Sequence, residues 1–523
     1  MPRFILLIVI SASMAFSLPS QAQEFNLDSL LLKSVGGQNA LERLKRVSSY
    51  SANGTALSSG QPATFSFCFS APDKFFLEIS LGALTFAQGY DGKIAWQKDH
   101  NGSITELSGF ERRVLLEQVY FQSYSYLFQD RLKGGREYRG RTTRDGKSYH
   151  EVALYPFNND TVIVLFDIAT GLPHLLESDF DNIKSVTYSE DFREVEKVII
   201  PFVSRTVTID TPIESEFTIT KVDLNAVCAD SLFSMIGGAL GDYRFPEGVD
   251  KLIVPFEYKG GHLYVSATVN GNKKMKFILD SGSSANIINK AAADMLKLPV
   301  VGTVQARGIG GFAEVQLVET DSIQLDGLTL LGQVAGSLDL SDIGQSSDGD
   351  NVYGGILGYD FMSRFPLLID YAASTVTIYN PATYAPPDSG VLVPFRMVSN
   401  VPTIRAEIEG IAGDFIVDIG NAFGLIIHED FAQKTKLYDS LQDVKTTRST
   451  ISGIGGEAGS KTAFASHFQF GSIALDSLRV ILTEKGAGIT GSNELAGNIG
   501  NLILKQFKVL FDYEHQSLIF LRP

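Results

Sequence analysis

The sequence predicts a mainly β protein, with a pair of related β lobes in its C-terminal half and an α+β domain on a curved antiparallel sheet ahead of them. Three observations predict this. Four segments recur in the same order between about residue 251 and the C-terminus. Short alternating apolar runs, bounded by turn residues, occupy most of 24–228. Two helix-period stretches open that first region.

At 523 residues the chain is too long for one core. Its 44% hydrophobic and 20% charged residues are those of a folded chain rather than a disordered one. A formal charge of −15 excludes nucleic acid and anionic membrane as partners, because phosphate recognition needs a basic face. Residues 1–22 have the order of a secretory leader: Arg3, an apolar run from Phe4 to Ile10 that weakens toward Leu18, and small residues up to Ala22. No later stretch approaches the ~20 apolar residues of a spanning helix. The mature protein is therefore expected to be exported, periplasmic or secreted, without integral membrane association. Cys68 and Cys228 are the only cysteines, which leaves one disulfide or two buried thiols open. The seven His show no metal-ligand spacing, so neither a metal site nor a cofactor is expected.

In 24–228, Leu27, Leu30, Leu31 and Val35 recur at helix spacing, Gly36-Gly37 interrupts them, and Ala40, Leu41, Leu44 and Val47 resume the pattern. Strands are expected at Thr64–Ser70, Phe75–Ile79, Leu84–Gln88, Val152–Tyr155, Thr161–Phe166 and Val203–Ile209, with hairpin turns at Asp91-Gly92 and Asp145-Gly146. Gly36-Gly37, Ala71-Pro72-Asp73-Lys74, Tyr90-Asp91-Gly92 with Ala95-Trp96, and Pro201-Phe202 give this region a resemblance to the periplasmic lipoprotein-carrier family. The resemblance implies a curved sheet wrapped around helices, and an apolar ligand as a candidate partner. Gly- and Pro-rich composition marks 229–250 as a linker, and a second one around 380–390.

The recurring segments divide the remainder into lobes at 251–381 and 382–523. Val254-Pro255-Phe256 returns as Val393-Pro394-Phe395, and Phe277-Ile278-Leu279-Asp280-Ser281-Gly282 as Phe415-Ile416-Val417-Asp418-Ile419-Gly420. Gly308-Ile309-Gly310-Gly311 returns as Gly453-Ile454-Gly455-Gly456, and Gly354–Pro381 aligns without a gap on Ala496–Pro523. Two copies of one fold are expected to pack about a pseudo-two-fold axis.

Phe277–Leu279 reads as a buried strand, Asp280 as a carboxylate in the Ser/Gly turn that follows, and Ala285–Leu298 as a helix. Gly282 permits a tight turn, and the hydroxyls and N–H groups around it can hold a carboxylate. Asp280-Ser281-Gly282, the glycine-rich Gly308-Ile309-Gly310-Gly311-Phe312 and Ile356-Leu357-Gly358 together resemble the retropepsin family of aspartic proteases. That resemblance implies a bilobed pair of aspartic-protease-like β-barrels, with Asp280 and Asp418 as a catalytic dyad supported by Ser281, Gly282, Ser283, Gly420 and Asn421. Gly308, Ile309, Gly310, Gly311 and Phe312 would form a mobile flap over a peptide or protein substrate. Two carboxyls held together share one proton, so one can act as base on a water while the other acts as acid.

The second copy departs from this pattern. Ile419 lacks the hydroxyl that braces the two turns in the family, Asn421 stands where Ser283 does, Glu457 stands where Phe312 does, and Asn498 precedes Ile499-Gly500. Asn421 is the expected donor to Asp418. The function expected is that of an exported aspartic endopeptidase. The alternatives are a catalytically inert protease-shaped binding module, for which Ile419 speaks, and a carrier of apolar ligands led by the first domain.

Overall fold

The computed structural model describes residues 25–523 apart from 129, 158–159, 236–240, 342–352 and 485–487, and leaves aside the side chains of 446–450 and 452. The leader expected at 1–22 lies outside the described residues. The chain is mainly β, with sheets of thirteen, nine, eight and six strands. No helix among the described residues is long and apolar enough to cross a membrane.

The thirteen-stranded sheet is an antiparallel meander that joins its two arms where Ser49–Ser58 pairs with Glu214–Asp223. Alternation dictates its faces: in strand Gln61–Ser70, Phe65, Phe67 and Phe69 are buried and the residues between them are less so. At Asp145-Gly146 both φ angles are positive, 49° and 75°, which matches the right-handed twist of the two strands the turn connects. Helices Leu27–Ser34, Gln38–Lys45 and Gly109–Gln122 pack on one face, where Leu31, Val35, Leu44, Leu115 and Val119 share a core with Phe67 and Phe69. Cys68 and Cys228 are joined as a disulfide, with Cα atoms 6.1 Å apart and 160 positions between them in sequence. Of the two states open from sequence, the paired one is found.

Within 229–250, composition suggests a tether, yet its described residues are packed. Phe233 is fully buried beside Trp96, whose indole N–H donates to Phe233 O at 2.7 Å. Tyr243-Arg244 pairs with Leu330 and Thr329, and Asp242 accepts from the buried Arg364 guanidinium at 2.6 and 2.9 Å.

The nine- and eight-stranded sheets share one strand order. In the first it runs His262–Val269, Met275–Leu279, Tyr353–Leu357, Ile287–Asn289, Leu328–Leu338, Phe312–Leu325, Val300–Arg307. In the second it runs Val401–Ile408, Ile411–Val417, Gly497–Ile499, Leu425–Ile427, Ile473–Thr483, Gly456–Phe470, Gln442–Gly453. The six-stranded sheet takes three strands from each side and joins them where Leu367–Asp370 pairs antiparallel with Lys508–Asp512. There Leu368 faces Leu510, its counterpart in the gapless alignment of the two segments. Antiparallel pairing of a residue with its own equivalent is what a local two-fold axis requires. One apolar core runs through both sides.

The helix expected over Ala285–Leu298 is shorter than its apolar spacing suggests. Ile287–Asn289 is a strand and only Lys290–Leu296 is helical. Ile287 and Ile288 are β-branched and buried between Ile356-Gly355 and Gly336-Ser337, a setting that favours extended backbone.

Candidate active site

Asp280 and Asp418 occupy equivalent places. Each follows a buried strand, Met275–Leu279 or Ile411–Val417, and each donates its backbone N–H to the neighbouring strand, at Leu357 O (3.0 Å) and Ile499 O (2.9 Å). Each turn then folds back on its own carboxylate. The Gly282 N–H donates to Asp280 Oδ1 at 2.8 Å and the Gly420 N–H to Asp418 Oδ1 at 2.9 Å. The glycines serve a further purpose across the interface. A Cβ at Gly282 would lie 2.5 Å from Asp418 Cγ, and one at Gly420 would lie 2.2 Å from Asp280 Cγ. Each carboxyl thus packs on the bare backbone of the opposite turn, a closeness that no side chain there would allow.

A side-chain hydrogen bond joins the two carboxyls and acts to raise Asp280 and to lower Asp418. Burial pushes both pKa values up, and the adjacent Asp418 charge carries Asp280 well above the usual carboxylate range. Asp418 is raised less because the Asn498 side-chain amide donates to its Oδ2 at 3.1 Å, and the N–H groups of Gly420 and Asn421 add to this. Two raised carboxyls in contact hold one proton between them, and the Asn498 amide favours negative charge on Asp418.

The supports are asymmetric. Ser281 Oγ donates to Val417 O at 2.7 Å and accepts the Ile419 N–H at 3.0 Å, so it ties its own turn to the opposite one. Ile419 is fully buried and returns nothing. Asn501 fills that gap. It is fully buried, and its Nδ2 donates to Ile419 O at 2.6 Å and to Gly261 O at 2.8 Å, while its Oδ1 accepts from the Tyr371 hydroxyl at 2.5 Å. Three bonds from one amide thus fasten the 418–420 turn to the first side of the molecule. Ser283 Oγ closes its own turn on Ala285 O at 2.8 Å. Asn421 accepts the Phe423 N–H at 2.9 Å, so the donor expected of it toward Asp418 is its backbone and not its amide. The amide that reaches Asp418 belongs to Asn498, which buried His428 holds from behind with Nε2 3.1 Å from Asn498 Oδ1.

We expect Asn501→Ala to expose this dependence. It leaves a buried acceptor at Ile419 unpaired, worth about 1–3 kcal/mol, and a half-buried one at Gly261. Urea denaturation should show a loss of several kcal/mol with unchanged m-value, comparable to that of Ser281→Ala.

Gly308–Gly311 forms the tip between strands Val300–Arg307 and Phe312–Leu325, and Gly453–Gly456 lies between Gln442–Gly453 and Gly456–Phe470. The Gly308 N–H donates to Gly311 O at 2.8 Å. The two tips meet: the Gly310 N–H points at Ile454 O at 3.4 Å, and Ile309 packs on Gly453, where a Cβ would lie 2.6 Å from Ile309 Cδ1. Phe312 opens its strand opposite Arg307 and is partly exposed. A third segment holds the first tip. The Ile489 N–H donates to Gly308 O at 2.8 Å and Thr490 Oγ1 to Ile309 O at 3.0 Å.

A turn of the thirteen-stranded sheet reaches this assembly. Asp181-Asn182, between strands Pro173–Phe180 and Ile183–Val195, has both φ angles positive, which Asp and Asn tolerate. Asp181 is buried and accepts from Ser492 Oγ (2.7 Å), the Asn493 N–H (2.7 Å) and the Glu494 N–H (3.2 Å). Its other oxygen accepts from Arg307 Nη1 at 2.9 Å, one residue before Gly308. Asn182 donates to Asp430 and to Gly491 O.

The stretch that contains Asp280, the first glycine-rich tip and Ile356-Leu357-Gly358 can be compared with known families. Residues 265–361 match the aspartyl protease family model. No curated protein matches the chain. Solved structures similar to it include an aspartic proteinase from Irpex lacteus, at 15% identity and a TM-score of 0.33, covering 52% of this chain and 97% of that one. The aspartyl protease match takes in Asp280, Ser281, Gly282 and Ser283 and ends before Asp418.

Asn498, Asn501, His428 and Asp181 were not singled out as site residues from sequence. A signal existed for two of them. Asn498 and Asn501 align with Ile356 and Tyr359, so the second copy places amides where the first has an apolar and an aromatic residue.

Proposed function

We propose that the chain is an exported aspartic endopeptidase in which Asp280 and Asp418, one from each of two lobes related by a pseudo-two-fold axis, hydrolyse peptide bonds with one activated water. The observation that carries this reading is the reciprocal packing of each carboxyl on the other turn's glycine. A second is the unequal support of the pair, with Asn498 on Asp418 alone, which separates an acid from a base. The aspartyl protease match supports a peptide or protein as substrate.

In the reaction, a water between the carboxyls loses a proton to Asp418 while its oxygen attacks the scissile carbonyl carbon. Asp280 gives its proton to the carbonyl oxygen, which produces a neutral tetrahedral diol. Collapse breaks the C–N bond, the amine nitrogen takes the proton held by Asp418, and a diol hydroxyl returns a proton to Asp280. The sum is peptide plus water to carboxylic acid plus amine. The glycine-rich tips shield the intermediate from bulk water when they close and must part to admit a chain. Ile419 does not weigh against this reading, because Asn501 braces the same turn.

Incubation of the purified protein with a mixed peptide library, with and without pepstatin, tests the reading. We expect cleavage that pepstatin stops; a library left intact at every pH would end the proposal.

A further inference from the structure

Helix Gly109–Gln122 divides its apolar residues between two faces. Leu115, Leu116, Val119 and Tyr120 enter the core of the first domain. Phe110, Val114, Glu117 and Phe121, spaced as neighbours along another face, look into a cavity of about 670 Å³ between helix and sheet. Small-molecule sites span about 300–1,000 Å³. One wall is aromatic, with Phe65, Phe67 and Phe86. Another carries hydroxyls that satisfy one another, Ser178 with Ser185 at 2.9 Å and Thr187 with Thr206 at 2.8 Å.

Glu117 is different. It is the only acidic or basic side chain among the described residues that line the cavity, and it is 8% exposed. No described residue donates a hydrogen bond to it, and the charge that acts on it, Asp160, has the same sign. Arg113, on the same helix, is occupied: it pairs with Asp160 at 2.8 Å and with Glu494. Burial pushes Glu117 up to about 8. A buried carboxyl without a partner is costly.

We propose that this cavity binds a single-chain amphiphile with an ammonium head, the head paired with Glu117 and the chain laid along Phe65, Phe67 and Phe86. The ammonium supplies the donors and the positive charge that the site lacks. With Glu117 held ionised by the ammonium the pair is complete; a carboxylate head would meet a second negative charge in Asp160, and a hydroxyl head would satisfy one bond without the charge. This binding is independent of the peptidase reading.

Displacement of a fluorescent apolar dye from the full-length protein tests it, with dodecylammonium, dodecanol and dodecanoate as competitors below their micellar concentrations. Dodecylammonium should displace the dye at a concentration at least about tenfold lower than either of the others, as a charge-assisted hydrogen bond implies. Glu117→Gln should bring the amine to the level of dodecanol and leave dodecanol where it was, which also reports that the cavity keeps its shape. Equal potency of the three heads, preference for dodecanoate, absence of displacement, or an amine unaffected by Glu117→Gln would overturn the proposal. Should Glu117→Gln fail to fold, the comparison of heads on the unaltered protein decides alone.

Discussion

Peptide turnover is expected to fall by about 10²–10⁴-fold or more when either Asp280 or Asp418 is replaced by Asn, because an amide keeps the shape of the pair and cannot pass its proton. The double replacement should be little worse, since the two groups act as one unit. Stability should move the other way. Burial and the facing carboxyl raise Asp280 well above its usual 3.8, so the folded protein holds a proton that the unfolded chain releases. The stability tied to that proton is fully present below about pH 3.8 and is lost as the pH climbs toward the folded value. Asp280→Asn needs no proton. It should leave the melting temperature near pH 4 almost unchanged and raise it near pH 8. A lower melting temperature near pH 8, or full cleavage by either single variant, would contradict the shared-proton account.

The second large effect is expected far from the dyad in sequence. Asp181 belongs to the first domain, yet it receives four hydrogen bonds from the loop at 492–494 and from Arg307, the residue before the first glycine-rich tip. Its side chain is 1% exposed and that of Arg307 15%. Removing one partner of a buried ion pair costs about 3–5 kcal/mol, because the other charge stays buried and alone. Asp181→Ala should destabilise the protein by that order. Hydrogen exchange should quicken at 300–325 and 488–495, the segments this turn restrains, before it quickens in the thirteen-stranded sheet. Uniform exchange throughout, with no selective loss at those segments, would mean that Asp181 holds the domains together without acting on the tip.

Much of this fold was legible in the sequence because it is written locally or twice. Alternation in Thr64–Ser70 needs no partner to reveal a face, and the Asp145-Gly146 turn declares its own geometry. The gapless alignment of Gly354–Pro381 with Ala496–Pro523 made Leu368 and Leu510 equivalent, and their pairing emerged only in the fold. The equivalent places of Asp280 and Asp418 were legible for the same reason. What escaped depends on residues brought together only by packing. Asn501 braces Ile419 across 82 positions and Asp181 meets Ser492 across 311; the repeat flags Asn501 only as a substitution, and nothing local marks Asp181. Helix Gly109–Gln122 escaped for another reason: its apolar residues serve both core and cavity, so no single stripe stands out. Ile287-Ile288 shows the opposite failure, where helical spacing was present and β-branched burial between two strands prevailed.

The proposed peptidase requires that one chain carry one complete two-aspartate site. Titration of peptidase activity with pepstatin, at protein concentrations far above its dissociation constant, tests this most directly. Cleavage should fall linearly to zero at one inhibitor per chain, with the same turnover per chain at every protein concentration. An endpoint at one inhibitor per two chains, with turnover that rises with concentration, would place Asp280 from two molecules in the working site and contradict it.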